Sequence, residues 1–432
     1  MFVRRAPATV GVHQLVAVQL GYVLTVFCTT AYAALVWWHR QVSAPEYAPL
    51  YTSLFVALLA GSASLACALF AFRGSVLPLQ LTLWLVLLGQ LPLLVMGAFG
   101  LVGNSDLPVF GALVGLGLLL GLFRTALDRL LTVACHVAEA AYLDCQSRAA
   151  MWLAIGLGTL FGVTLAHLDP ASSSLWILML SSAVTLSALF VPDLVENRTR
   201  PIFEAPLRNR VYDELVGWLA IGACWGFAVA ALGTVVMFGE NEQGERSPAL
   251  LAIGSLGIAF GSMARVVATR GREELSAALF GLLLLAFGTG ALTVSTGSVF
   301  RTAEWFVVGW GLGALISSPS ALSRQFSIHS PLAVRVLQSR LHVGAAALLG
   351  TLAGFNFGGA IAPTTCALAL LGIGLLLWLN PATVLELLLR VRTNGARTLR
   401  VLDVANSPDS GPVLYITGHL DTEDLLVVRQ GL

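Results

Sequence analysis

Near its end the chain reads "GPVLYITGHLDTED", Gly411 to Asp424. An apolar, β-like run from Pro412 to Thr417 leads into His419, and Asp424 follows five residues later. That spacing suits a general base and the carboxylate that orients it. Catalysis also needs a pocket and donors for a developing oxyanion. The few residues beyond Asp424 are too short to build either, so the expectation is that the 432 residues catalyse nothing at His419 by themselves. A polar tail without chemistry is the competing reading.

Other residues able to do chemistry are sparse and sit in apolar surroundings. Gln14, Gln19, Gln90 and Asn356 fall inside apolar runs, where an amide meets either a substrate or a neighbouring helix. Arg124, Arg265, Arg324 and Arg340 lie near the ends of such runs. They could meet an anionic head group or snorkel to the interface. Gln19, Arg124 and Asn356 are the substrate-binding candidates. The runs hold no visible Asp, Glu or His relay, so facilitated movement is expected rather than proton-driven pumping. The six cysteines form no Cys-x-x-Cys or Cys/His cluster, and neither a metal site nor a cofactor is expected.

The elements that must position these residues follow from composition. Hydrophobic residues make up 57% and charged residues 11%, against about 25% charged in soluble domains. The apolar residues cluster in runs of roughly twenty, the length of a bilayer-spanning helix. The chain therefore reads as an all-α, polytopic membrane protein with twelve transmembrane helices in two six-helix bundles. In the first half the spans fall near 15–38, 50–72, 79–102, 107–124, 149–166 and 174–192. In the second they fall near 215–238, 248–269, 275–297, 303–322, 341–360 and 361–380, with a tight turn expected at Gly358–Gly359. The domains are thus 1–192, a polar connector 193–214, 215–380 and a tail 381–432. Residues 125–148 carry balanced charge and read either as an amphipathic stretch or as extensions of spans four and five.

Arginine supplies all 24 basic residues. With the N-terminus inside and twelve spans, 21 of them face the cytoplasm and three, Arg40, Arg246 and Arg301, lie outside. Such a bias is the positive-inside pattern, and it places both termini and the connector in the cytoplasm. A net charge of +1 with no basic patch gives no reason to expect a nucleic-acid partner.

Two segments carry a family resemblance. "LAIGSLGIAFGSMARVVATRGREELSAALFGLLLLAFG" (251–288) is similar to the segment joining spans eight and nine in bacterial lysophospholipid transporters of the major facilitator superfamily. Gly261, Arg265, Arg270 and Arg272 occupy its gating loop here. "PIFEAPLRNRVYDELVGWLAIGACWGF" (201–227) resembles that family's connector and seventh span. The loop between spans two and three, "FAFRGSVLP" (70–78), lacks the family's aspartate, and "AVQLGYVLTVF" (17–27) lacks its polar cluster in span one. Some such transporters are fused to a glycerolipid acyltransferase of the PlsC type, and the opening stretch is similar to its first motif. Gly418 and Asp421 stand there for the motif's asparagine and serine. The resemblance implies that His419 takes a proton from an acceptor hydroxyl and that Asp424 holds its tautomer.

The resemblance implies the major facilitator fold and a transporter of a lipid-like or amphiphilic substrate, lysophospholipid above all, working by alternating access in the bacterial cytoplasmic membrane. Two alternatives stay open. One is the membrane half of a bifunctional lysophospholipid acyltransferase, or a chain served by a separate acyltransferase partner. The other is a degenerate facilitator fold acting as anchor or regulator.

Overall fold

The computed structural model describes residues 12–43, 48–73, 79–134, 137–188, 209–238, 248–269, 274–295, 298–315, 335–337 and 339–379. Twelve long helices run through them. The first six are α1 (Val12–Ser43), α2 (Ala48–Arg73), α3 (Leu79–Val102), α4 (Asp106–Ala134), α5 (Val137–Ala166) and α6 (Pro170–Ser187). The second six are α7 (Asn209–Phe238), α8 (Pro248–Thr269), α9 (Glu274–Val294), α10 (Ser298–Leu315), α11 (Leu341–Asn356) and α12 (Ile361–Leu379). Each expected span overlaps one of these helices, with the end of the tenth outside the described residues. Between α11 and α12 a single 3-10 turn, Gly358–Ala360, fills the expected tight turn. The protein is an all-α, multi-pass membrane protein.

Seven helices are long and apolar enough to cross a bilayer on length and composition alone, and α2 and α8 contain shorter apolar stretches. Serine dilutes α6, glycine and charge dilute α10, and α11 has only 16 residues. Lipid offers the backbone no partners, so a spanning segment must satisfy its own N–H and C=O groups as a helix. Side-chain hydroxyls do the same here. Thr25 donates to the Gly21 carbonyl at 2.8 Å, Thr29 to Thr25 at 2.8 Å and Ser262 to Ile258 at 2.9 Å. Large apolar residues such as Leu85, Leu157, Leu186 and Phe287 are exposed, as lipid-facing surfaces require.

The start of α6, outside the apolar runs, is fixed by an ordinary cap. Asp169 accepts from the Ala171 and Ser172 amides, both at 2.9 Å, and Pro170 opens α6. The Ser172 hydroxyl also donates to Asp169, and it is the main reason that carboxyl lies below its usual range. At the far end of α1, Arg40 reaches the turn between α3 and α4. Its guanidinium pairs with Asp106 at 2.6 Å and donates to the Asn104 side chain at 2.9 Å.

Within each half the helices pair in one pattern. In the first half α1 packs on α5, α2 on α4 and α3 on α4; in the second, α7 packs on α11, α8 on α10 and α9 on α10. Glycines let the backbones close at these contacts. A Cβ on Gly162 of α5 would press into Ala31 of α1, and one on Gly350 of α11 into Phe227 of α7. The two halves meet along α2–α11 and α5–α8.

The 125–148 stretch resolves toward extension rather than a separate amphipathic surface helix. On either side of 135–136, α4 and α5 continue well past the apolar runs. Of the other expectations, the gating-loop residues Arg270 and Arg272 and the tail with His419 and Asp424 lie outside the described residues.

Candidate functional site

The overhang of α4 and α5 carries a charged cluster. "RTALD" places Arg124 and Asp128 one turn apart on α4, and "DCQSR" places Asp144 and Arg148 one turn apart on α5. The helices are antiparallel neighbours in the chain, so the two pairs come together in opposite order. All four residues are buried, and Asp144 is fully so. Arg124 pairs with Asp144 and, at 2.9 Å, with Asp128. Arg148 lies 2.7 Å from Asp144, close enough to pair although not aligned as a hydrogen bond.

The fifth member comes from the other half. Arg340, immediately before α11, reaches Asp128 at 3.0 Å. Its backbone is left-handed, with φ at 51°. That region is costly for a residue with a Cβ, of order 1–3 kcal/mol, and such strain persists only where the surroundings enforce it. Arg340 is a quarter exposed, so its pair with Asp128 is partly screened by water. The inner pairs are not screened in this way. Burying an unmatched charge costs several kcal/mol, which is why the arginines and aspartates interleave.

Helix α1 roofs the cluster. Tyr22 stacks edge-on against Phe123 with centroids 5.3 Å apart, and the Arg124 guanidinium lies 6.0 Å from the Tyr22 ring. Gln19 is half-buried and donates to the Leu143 carbonyl at 3.3 Å, one residue before Asp144.

The residues singled out from sequence scatter accordingly. Arg124 and Gln19 belong to the cluster, and Arg124 does not snorkel. Asn356 is exposed near the opposite end of α11 and donates to the Leu352 carbonyl of its own helix. Gln90 is buried and bridges α3 to α1 through the Thr25 carbonyl at 3.0 Å and the Thr29 hydroxyl at 3.3 Å. Gly261 packs against the Trp310 backbone of α10, and Arg265 continues α8, its side chain outside the described residues. Asp128, Asp144 and Arg148 were missed. The mirrored Arg-x-x-x-Asp and Asp-x-x-x-Arg pairs were the available signal. Among the described residues no three metal-ligating side chains converge.

Solved structures share this architecture. The human organic anion transporter MFSD10 (TETRAN) aligns with a TM-score of 0.62 and 15% identity, covering 84% of this chain and 99% of that one. A bacterial homologue of the iron transporter ferroportin, in an outward-facing state, aligns with a TM-score of 0.63 and 15% identity, covering 85% of this chain and 99% of that one. The same homologue with soaked iron gives a TM-score of 0.61 at 13% identity, covering 86% and 100%. No family model matches the sequence, and no curated protein does. The chain has the major facilitator fold.

Proposed function

We infer that the protein is a transporter that works by alternating access, with the ion-pair cluster as its gate. The observation that carries this is the Arg340–Asp128 pair, which ties the start of α11 to the end of α4 across the two halves. Arginine placement puts that end in the cytoplasm. The cluster is then the inner gate, closed here, in the bacterial cytoplasmic membrane with both termini inside. Cysteines introduced singly at positions 210 and 243 of a cysteine-free variant test the orientation. An impermeant thiol reagent on intact cells should label position 243 alone, and labelling of 210 alone would reverse the topology.

The substrate we favour is lipid-like, a lysophospholipid, and its support is the resemblance of residues 251–288. Organic anions and iron are the cargoes named for the structural neighbours, not for this chain. The acyl-transfer reading has only the tail motif behind it.

Gating has a direct test. A Cβ on Gly344 of α11 would lie 2.5 Å from the Ser64 Cβ of α2, so the helices touch there when the gate is closed. In a cysteine-free variant, Asp128→Cys/Arg340→Cys replaces the ion pair between these two halves, and a short, reducible bifunctional thiol reagent should bridge it and block movement of labelled lysophospholipid into proteoliposomes until reduced. Asp128→Asn alone should raise about fivefold the rate at which a thiol reagent reaches a single cysteine at Ser64, as expected for loss of a partly exposed pair of about 1 kcal/mol. Undiminished transport through a fully crosslinked protein would end the alternating-access reading.

A further inference from the structure

The ion-pair cluster does not balance its own charge. Among the described residues, Arg124, Arg148 and Arg340 pair with no acid other than Asp128 and Asp144. Three guanidinium groups thus share two carboxylates, and one positive charge is in excess. Most of the cluster is sealed against a ligand. The unbonded nitrogens of Arg124 (Nε and Nη1) and of Arg148 (Nη1 and Nη2) are buried, so no anion reaches them. Arg340 is the exception. Its side chain is 27% exposed, and its hydrogen bond to Asp128 uses Nη2. The two nitrogens that Asp128 leaves unused, Nε and Nη1, are not among the sealed atoms and keep accessible surface.

The segment that carries Arg340 offers it no replacement for Asp128. Between Glu304 and Glu386 the chain has no Asp or Glu, whereas Arg324, Arg335 and Arg340 all fall there. Asp128 is therefore a partner that the closed gate supplies from the other half. Opening separates two unlike sets. Arg124, Arg148, Asp128 and Asp144 stay together on α4 and α5 with no net charge. Arg340 leaves with α11 as an unmatched cation. A guanidinium fork suits an oxyanion, because its parallel N–H groups meet two oxygens at once.

We propose that Arg340 is an anion-binding site, and that in the open gate it takes a phosphate oxyanion where Asp128 stands in the closed one. The proposal rests on the gate reading above and names the ligand that favours opening. In the closed gate an arriving phosphate meets the Asp128 carboxylate as well as the guanidinium. In the open gate it meets the guanidinium alone. The oxyanion thus binds the open state more tightly, and a ligand shifts a two-state equilibrium through just such a difference. The phosphate comes either free from solution or on the head group of an amphiphile. Both sources carry the same group.

The test uses the purified full chain in a phosphate-free detergent at constant ionic strength. Asp128→Asn should bind radiolabelled inorganic phosphate about fivefold more tightly than the wild type, the effect of removing a partly exposed competing carboxylate. Arg340→Gln should not bind it. Arg340→Lys, which keeps the charge and loses the fork, should bind it severalfold more weakly than the wild type and guards against a folding failure of Arg340→Gln. In a cysteine-free background, saturating phosphate should raise about threefold the rate at which N-ethylmaleimide, an uncharged reagent, reaches a single cysteine at Ser64. Lysophosphatidylglycerol is the amphiphile arm, and an effect of it without one of free phosphate identifies the head group as the source. Arg340→Gln loosens the gate as Asp128→Asn does, yet its labelling should ignore both. Chloride acting as well as phosphate, equal phosphate binding by wild type and all variants, or no response to either source would each overturn the site. An acid elsewhere in the chain that takes over Arg340 gives the last of these outcomes. The gate is scored separately: unchanged labelling in Asp128→Asn sinks the gate reading, whatever Arg340 binds.

Discussion

Asp144→Ala should destabilise the protein by about 3–5 kcal/mol, the cost of leaving buried guanidinium groups without their carboxylate. Asp144 is fully buried and faces both Arg124 and Arg148. Three arginines already face two aspartates in the cluster, so losing one aspartate doubles the excess positive charge. Arg148→Leu in the same chain restores the original balance. The double variant should therefore recover much of the lost stability, which independent sites would not do. Thermal unfolding of the detergent-solubilised protein reads both effects. A double variant as unstable as the sum of its parts would mean that the charges are not coupled.

The second large effect concerns close helix contact. On Gly162 a Cβ would stand well inside contact distance of the Ala31 carbonyl and 2.9 Å from the Ala34 Cβ. On Gly350 it would meet the Phe227 backbone, with the Cα at 2.9 Å. Alanine gains about 1 kcal/mol of helix propensity over glycine, but overpacking costs about 1–3 kcal/mol and more where backbone must move. The clash wins at both sites. Gly162→Leu and Gly350→Leu should leave little folded protein by gel filtration. Gly233→Ala, with open space around it, should be neutral or slightly stabilising. Equal yields from all three variants would show that these glycines are not required for packing.

The twelve helices were legible because each apolar run had to become a helix in lipid, and the arginines marked their ends. The gate was not. In one dimension Arg124, Asp128, Asp144 and Arg148 fit a solvated stretch as well as extensions of spans four and five, and a linear reading does not say that the two overhangs face each other. Asn356 shows the other side of the same limit: an amide in an apolar run invites a ligand, and only the structure shows this one donating to the turn below.

The pairing of first helix with fifth in each half has a consequence for synthesis. Helix α1 carries Thr25 and Thr29 toward partners that include α3, and it packs along α5, whose last residue follows its own by more than a hundred positions. At roughly 5–20 residues per second, α1 waits on the order of ten seconds in the bilayer before α5 is made. Its threonines bridge that interval by bonding back to their own helix. The ribosome's pace thus sets how long each half stays unfinished, and α7 repeats the wait for α11.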